Sequence, residues 1–270
     1  MNKFNKIDKN TSMSKLIHSS LNHLFFVGIL NFSTIIFAQD SAQEIATVEN
    51  DGIASYTTED LIGRSKPTLT QGKEYRVLPE VAIALEKMKA DAKKAGFDIC
   101  VISSYRNYAY QNDIWERKYK ANKAKGLSNE KNIEKIIEYS TIPGTSRHHW
   151  GTDIDIIDMT KGIPQNPLNE KHFNEGGQMR KFKLWLDENA HKYGFYLVYT
   201  KDANRKGFKY EPWHFTYKPI SDQMMSAYKK LDVKKILQER KLLGSEYFTD
   251  EFIEKYRKEN ILDINPDLVK

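Results

Sequence analysis

The 270-residue sequence contains a single cysteine, Cys100, so it can form neither an intrachain disulfide nor a zinc site built from cysteines. Any metal that it binds must therefore be held by histidine and carboxylate side chains. A large excess of one charge is also absent. The formal net charge is +6, and the first 38 residues, with four lysines and one aspartate, carry half of it. The excess that remains is too small to argue for nucleic acid binding.

The sequence has no uninterrupted apolar run of the roughly 20 residues that a membrane-spanning helix needs. Residues 24–38 (LFFVGILNFSTIIFA) are shorter and include polar side chains. They follow a basic segment and end in a small residue, which predicts a secretory signal peptide over residues 1–38 that is cleaved after Ala38. Met13 is an alternative start, an uncleaved anchor is an alternative interpretation, and the lack of a following cysteine excludes a lipoprotein anchor. We expect an exported protein of the periplasm or cell envelope, without a stable membrane span once the signal is removed.

The rest of the chain has the composition of a globular protein, with 40% hydrophobic and 12% aromatic residues over the whole sequence. We find no internal repeat and no low-complexity tract. We predict a polar lead-in segment over residues 39–68, a compact domain over residues 69–220 and a charged, helical C-terminal extension over residues 221–270. Within the extension, Thr249 is the expected cap of a helix that starts at Asp250. Composition does not decide whether the extension braces the domain or contacts a partner.

Periodicity predicts both helices and short strands in the compact domain. One helix is expected to begin at Pro79 and to stop before Gly96, because apolar residues between them recur at helical spacing. Further helices are predicted over residues 108–124, 129–139 and 179–193, and strands over residues 97–103, 151–157, 195–199 and 213–217. Helices mixed with strands, without regular alternation, indicate the α+β class.

Two short motifs contain three of the five histidines that follow the predicted signal. The first is Ser146–Asp155 (SRHHWGTDID) and the second is Glu211-Pro-Trp-His214. Alternation along the predicted strand places Asp153 and Asp155 on one face. Two ionised carboxylates on one face repel each other and lose hydration unless a cation or hydrogen bonds compensate them. The first motif therefore indicates a site for a cation.

A catalytic zinc needs three protein ligands and an open position for water. It also needs a nearby carboxylate, not itself a ligand, that takes a proton from that water. His148, Asp155 and His214 with Glu211 would fill these four roles. Each residue taken singly has an ordinary structural alternative, since a lone histidine is more often a packing residue and a lone aspartate can cap a turn or pair with Arg147.

The two motifs resemble the signature of the zinc D-alanyl-D-alanine carboxypeptidases and dipeptidases. This family includes the vancomycin-resistance peptidases and shares a fold with the Hedgehog signalling domain. Its signature is Ser-x-His-x-x-Gly-x-Ala-x-Asp, followed downstream by Glu-x-x-His, and the matching residues here are Ser146, His148, Gly151, Asp155, Glu211 and His214. The resemblance covers roughly residues 75–219. It implies a small, mostly antiparallel sheet with flanking helices around a zinc cleft.

The resemblance also implies roles for individual residues. One Zn²⁺ per chain would be bound by His148, Asp155 and His214, and Glu211 would be the catalytic base. In the family an arginine follows a core strand in a Ser-x-Arg setting, where it binds the oxyanion and the substrate. Arg106 occupies that setting here.

Three more residues are expected to contact the substrate or to support the ligands. Ser146 belongs to the signature and lies beside a ligand, so we expect it to contact substrate, with a simple turn residue as the alternative. Gln111 matches a glutamine that is frequent in the family, and we expect it to bind substrate too. Asp153 stands where the signature often has alanine, and it could bind the substrate ammonium, orient a ligand or replace Asp155 as the ligand. The resemblance favours Asp155 as the ligand. Adjacent residues point apart, so His149 is not expected to bind the same metal as His148 and is expected to pack or to support the ligands instead.

The function implied by the resemblance is the trimming of peptidoglycan stem peptides, by removal of the terminal D-Ala from a pentapeptide that ends in D-Ala-D-Ala. An L,D-carboxypeptidase, a dipeptidase and a cross-link endopeptidase remain open within the family, and export argues against the dipeptidase. A non-catalytic cell-wall binding module with a structural zinc is an alternative of another class. Substrate choice is expected to depend on the loops over residues 161–178 and 201–210.

Overall fold

The structure is a computed structural model that describes residues 55–239 and 241–269. The predicted signal peptide over residues 1–38 and the start of the predicted lead-in, residues 39–54, lie outside the described residues. In the described part of the chain, no helix is both long enough and apolar enough to cross a membrane.

Helices and strands are interspersed along the described residues, which confirms the α+β class. The α-helices are α1 (Thr58–Leu61), α2 (Pro79–Lys94), α3 (Tyr108–Ala124), α4 (Asn129–Ile136), α5 (Arg180–Asn189), α6 (Lys218–Tyr228), α7 (Val233–Gln238) and α8 (Asp250–Tyr256). The strands are β1 (Thr70–Gln71), β2 (Arg76–Val77), β3 (Ile99–Ser103), β4 (Asp153–Asp158), β5 (Phe195–Leu197) and β6 (His214–Tyr217). Strands β1 and β2 pair as a small antiparallel ladder, and the other four form one sheet.

The four-stranded sheet has the order β3-β4-β6-β5, and each neighbouring pair is antiparallel. The register places Asp155 opposite His214 and Asp153 opposite Thr216. Side chains alternate between the two faces of a strand, so these four polar residues share one face. The other face of β4 carries apolar side chains such as Ile154. One face of the sheet is therefore apolar, and the other carries the candidate functional side chains.

The apolar face of the sheet packs against α2 and α5. Buried contacts come from Val81, Leu85 and Met88 of α2, and from Phe182 and Leu186 of α5. Burial of each large apolar side chain contributes about 1.5–3 kcal/mol. This layer holds the strands, and hence the polar residues on the opposite face, in a fixed position.

A second buried cluster lies between α3, α4 and the C-terminal helices α6–α8. The Trp115 indole N–H donates to the carbonyl oxygen of Leu243 at 2.9 Å. From α8, the Tyr256 hydroxyl oxygen accepts the backbone N–H of Ile142 at 3.1 Å. The C-terminal helices therefore brace the segment that leads into the first histidine motif.

Most predicted elements agree with the structure, and the differences lie at their ends. Helices α2 and α3 begin where they were expected, and the Thr249 side chain caps α8 by accepting the backbone N–H of Phe252 at 3.1 Å. The helix predicted over residues 179–193 is divided into α5 and a 3₁₀ turn, Ala190–Tyr193. Gly194, with φ at +83°, then lets the chain leave that turn for β5. The lead-in contains α1, a short helix that composition did not indicate.

Candidate active site

His148, Asp155 and His214 meet on the polar face of the sheet. One candidate ligand atom from each lies within 4.8 Å of the other two, and all three residues are buried. Pairing of β4 with β6 brings Asp155 beside His214. His148 lies in a 3₁₀ turn, Arg147–Trp150, that directly precedes β4. Two motifs about 60 residues apart in sequence are thus joined by the register of one strand pair.

Gly151 makes the connection between the 3₁₀ turn and β4. Its φ of +69° is in the left-handed region, which residues with a side chain rarely adopt. An added Cβ would also lie 3.2 Å from Leu69 and 3.3 Å from Leu78. Glycine at this position therefore allows the tight turn that places His148 over the start of the strand.

Hydrogen bonds fix which nitrogen of each imidazole faces the cluster. The Nδ1 of His148 lies 2.8 Å from the carbonyl oxygen of Ser104, so Nδ1 carries the proton and donates it. The Nε2 of His148 and the Oδ1 of Asp155 are buried without a hydrogen-bond partner among the described residues. In His214, Nε2 lies 3.2 Å from Asp153, and Nδ1 lies 3.0 Å from Glu211 and 3.5 Å from Asp155. Unpartnered buried polar atoms that converge in this way are what a bound cation would satisfy.

The burial of these groups shifts their pKa values in different directions. Burial lowers the pKa of His148 and raises that of Glu211. Burial alone would raise the pKa of Asp155, but attraction to His148 holds it below its usual value. Burial likewise opposes the charged form of His214, yet its hydrogen bonds to Asp153 and Glu211 raise its pKa to about 10. A metal at Nδ1 would therefore have to displace a proton.

The cluster opens into a cavity of about 650 Å³. Its walls are formed by the polar face of the sheet, one side of α3, the segment after α4 and the loop before α5. The lining residues outside the cluster include Arg106, Ile114, Lys118, Tyr139, Ser140, Thr141, Ser146, Leu168, Glu170, Tyr199, Phe208, Glu211 and Trp213. The volume is in the range of pockets that bind small molecules or short peptides.

The family described as VanY: D-alanyl-D-alanine carboxypeptidase matches residues 74–220, which is more than half of the chain and contains both histidine motifs. The chain belongs to the VanY family. The resemblance inferred from the two motifs is thereby confirmed. Residues 221–270, including most of the C-terminal helices, lie outside the matched region.

Curated relatives and solved structures are also similar to this chain. The putative carboxypeptidase YodJ of Bacillus subtilis (strain 168) is 30% identical over 170 residues, which are 63% of this chain and 52% of that protein. A D-alanyl-D-alanine carboxypeptidase of Enterococcus faecalis (strain ATCC 700802 / V583) is 29% identical over 145 residues, 53% of this chain and 47% of that protein. The chain thus matches about half the length of these relatives. The structure of VanYB in complex with D-Alanine-D-Alanine is 26% identical, covers 66% of this chain and 92% of that chain, and gives a TM-score of 0.48.

Two of the residues expected to contact substrate lie on the cavity of this VanY-family protein. Arg106 and Ser146 both line it. The Nε of Arg106 and the Oγ of Ser146 are buried without a hydrogen-bond partner among the described residues. The backbone N–H of Arg106 donates to the carbonyl oxygen of His148 at 3.0 Å, which fixes the arginine beside the cluster. Both side chains are therefore positioned to bind a ligand.

Gln111 lies on α3 and bonds to the segment that forms one wall of the cavity. It is buried, is not among the lining residues, and donates its amide N–H to the carbonyl oxygen of Thr141 at 2.9 Å. Its position supports the wall. The Oε1 of the same amide is buried without a hydrogen-bond partner among the described residues, and the substrate contact expected from the resemblance stays a prediction.

Asp153 lies beside His214. Its side chain is 0% exposed and does not line the cavity. Its carboxylate accepts hydrogen bonds from Arg147 Nε at 2.9 Å and from the hydroxyl of Thr216, and it contacts the Nε2 of His214 at 3.2 Å. The guanidinium of Arg147 in turn stacks over Trp150, 4.5 Å from the ring centroid. Asp153 therefore holds the far side of His214, which corresponds to one of the three roles that the sequence left open for it.

His149 has the packing role expected of it. Its Nε2 accepts the backbone N–H of Gly144 at 3.1 Å, so its Nδ1 carries the proton and donates to the carbonyl oxygen of Arg106 at 2.6 Å. Burial lowers the pKa of His149 to about 3. The neutral ring connects the loop of Arg106 to the histidine motif and does not face the metal-ligand cluster.

The sequence motifs did not identify one wall of the cavity. Lys118 of α3 and the segment Tyr139, Ser140 and Thr141 lie there because α3 packs against that segment. No short motif marks these residues, since their approach depends on helix packing. Both loops expected to affect specificity also contribute to the cavity lining. Leu168–Lys171 and Asn174 come from the loop over residues 161–178, and Phe208 comes from the loop over residues 201–210.

Proposed function

We propose that the protein is an exported, zinc-dependent D-alanyl-D-alanine carboxypeptidase that removes the terminal D-Ala from peptidoglycan stem peptides. The observation that supports this most strongly is the convergence of His148, Asp155 and His214 within 4.8 Å on a cavity that also contains Glu211. Membership in the VanY family supports the same activity. Such a substrate lies in the periplasm or cell envelope, which agrees with the signal peptide predicted for residues 1–38.

The donor set fits zinc. Two imidazoles and one carboxylate are a ligand set of catalytic zinc, whereas Ca²⁺ and Mg²⁺ prefer oxygen ligands. The buried Nε2 of His148 and Oδ1 of Asp155 lack hydrogen-bond partners among the described residues, so a cation would satisfy atoms that are otherwise costly to bury. We infer one Zn²⁺ per chain, held by His148, Asp155 and His214. When bound, the ion would polarise the scissile carbonyl and lower the pKa of a water molecule to roughly 7.

Glu211 is the proposed general base. Burial raises the pKa of its carboxyl group, which makes it a stronger base than an exposed glutamate. Its carboxylate would take a proton from the attacking water and return it to the nitrogen of the leaving amino acid. With water as the nucleophile, no covalent acyl-enzyme forms, and we do not expect β-lactams to acylate the protein.

Arg106 is the proposed partner of the negative charge that develops on the carbonyl oxygen. Its side chain is half-buried on the cavity, and its Nε is buried without a hydrogen-bond partner among the described residues. Burial lowers its pKa, and attraction to Asp155 and Glu211 opposes that shift. A fixed, desolvated donor of this kind stabilises an oxyanion without having to reorganise.

Asp153→Asn should weaken zinc binding without removing a ligand. The carboxylate orients His214 through Nε2, and the loss of such an outer hydrogen-bonding partner typically costs about 10- to 100-fold in metal affinity. Competition with a chromophoric chelator measures the dissociation constant. Asp158→Asn is the matched control, because Asp158 lies on the same strand but bonds to the backbone of Asp98 and to Thr160. Equal affinities in the two variants would contradict the positioning role of Asp153.

Mass spectrometry of defined muropeptides, incubated with the protein with and without a chelator, tests the activity and its specificity. We expect the pentapeptide to lose one alanine only when metal is present. Loss from the tetrapeptide instead would identify an L,D-carboxypeptidase, and cleavage of a cross-link would identify an endopeptidase. Unchanged muropeptides with metal present would contradict the hydrolase and favour a non-catalytic binding module.

A further inference from the structure

Lys118 lies in the cavity wall that the sequence motifs did not identify. It belongs to α3, is partly buried, and its ammonium contacts the hydroxyl of Ser140 on the facing segment. Both residues line the same cavity as Arg106 and Glu211. A lysine in this position directs a positive charge into the cavity and not into bulk water.

The ammonium of Lys118 forms no ion pair with a carboxylate in the described part of the chain. Lys120, two residues further along the same helix, pairs with Glu116 at 2.7 Å. Burial lowers the pKa of Lys118, and the more distant Glu211 only partly offsets this. A partly desolvated cation without a close counter-ion is a binding position for an anion.

The acidic residues of the cavity have other partners. Asp155 and Glu211 contact the imidazoles of the metal-ligand cluster. Glu170, on the loop before α5, pairs with Lys201 at 2.9 Å. An anion that entered the cavity would therefore be the first close counter-ion of Lys118.

One hydrogen-bond donor near Lys118 has no partner among the described residues, and the backbone beside it is held in place. The Oγ1 of Thr141, next to Ser140, is buried without a hydrogen-bond partner among the described residues. Gln111 fixes the backbone carbonyl of Thr141, and Tyr256 of the C-terminal extension holds the backbone N–H of Ile142. Donors fixed in this way lose little entropy when they bind a ligand.

We propose that Lys118, Ser140 and Thr141 form a carboxylate-binding subsite for the peptide substrate. The subsite deepens the proposed function and rests on it. Carboxylates are the anions that a peptide presents, and two sources are chemically equivalent here: the terminal carboxylate of the amino acid to be released, and the free carboxylate of an acidic residue further inside the stem peptide. The subsite selects peptides that carry the carboxylate at the right distance from the cluster.

Calorimetric titration of three pentapeptides into the zinc-loaded protein tests the subsite. The peptides are the free acid, the terminal amide and the form in which the inner acidic residue is amidated. Glu211→Gln serves as the common background, so that the peptides are not hydrolysed during the titration. Lys118→Met, introduced into the Glu211→Gln background, retains the aliphatic packing and removes the charge. Lys120→Met in the same background is the matched control, because Lys120 is exposed and does not line the cavity.

Lys118→Met should weaken binding of the free acid by roughly 10- to 100-fold, the usual loss for a hydrogen bond to a charged group, and Lys120→Met should not. The carboxylate that the subsite binds is the one whose amidation abolishes the effect of Lys118→Met on affinity. Equal affinities for the free acid with and without Lys118→Met would contradict the subsite alone, as would a loss of the same size for all three peptides. The hydrolysis of the free pentapeptide by the unsubstituted protein is measured in parallel, and its absence would contradict the proposed function.

Discussion

Glu211→Gln should reduce kcat for D-Ala release by roughly 10²- to 10⁴-fold, the range by which general acid–base catalysis accelerates reactions. The amide cannot take a proton from water, yet it keeps the size of the carboxylate and one of its two acceptor oxygens. Because Glu211 is not one of the three ligands, the variant should still bind one zinc per chain. Release of D-Ala is measured under saturating substrate, and zinc is measured by elemental analysis of the same sample.

A matched control separates this effect from a general effect of charge removal. Glu116→Gln neutralises an acid on α3 that pairs with Lys120 and does not line the cavity. We expect its kcat to remain close to that of the unsubstituted protein. A Glu211→Gln protein with stoichiometric zinc and full activity would contradict the assignment of the base. A protein that lost zinc with its activity would instead place Glu211 among the ligands.

His214→Ala should abolish both zinc binding and activity. The Nδ1 of His214 faces Glu211 and Asp155, and it is the second imidazole of the donor set. The affinity should fall by more than the roughly 100-fold that loss of an outer hydrogen-bonding partner causes, because a ligand itself is removed. Zinc affinity is measured by chelator competition, and activity is measured at a fixed excess of zinc.

His191→Ala is the control for the removal of an imidazole. His191 is exposed, and it lies in the 3₁₀ turn that follows α5, outside the cavity lining. We expect it to bind zinc as the unsubstituted protein does. Circular dichroism of the metal-free proteins checks that His214→Ala is folded. If a folded His214→Ala protein retained tight zinc binding and activity, the ligand set would have to be assigned to other residues.

The metal-ligand cluster could be predicted from sequence because its geometry depends on local patterns. Period-two alternation placed Asp153 and Asp155 on one face of β4, and the structure agrees. His214 was predicted to lie in a strand over residues 213–217, and it is the first residue of β6. Only the pairing of β4 with β6 was then needed to bring the motifs together.

The separate roles of the two aspartates could not be predicted in this way. Both lie on the polar face. The register pairs Asp155, which lines the cavity, with His214, and it pairs Asp153, which does not line the cavity, with Thr216. A strand register is set by the packing of the whole sheet. Alternation alone therefore could not show that the carboxylate of Asp153 bonds to Arg147 and contacts His214.

Sequence patterns could not predict the contacts of the cavity wall that contains Lys118, or those of the C-terminal extension, for a related reason. The helical pattern of α3 was predicted, including both ends, but the residues that it would face were not. The contacts of Gln111 with Thr141 and of Tyr256 with Ile142 join residues 30 and 114 positions apart. Such pairs depend on how helices dock, which composition and periodicity do not specify.

The central claim is that two imidazoles and one aspartate hold a single zinc ion on the cavity. A crystal structure of the zinc-loaded protein, with anomalous data collected on both sides of the zinc absorption edge, tests it most directly. We expect one anomalous peak at about 2.0–2.3 Å from His148 Nε2, an Asp155 carboxylate oxygen and His214 Nδ1. A zinc peak bound elsewhere, with these three side chains turned apart, would contradict the account.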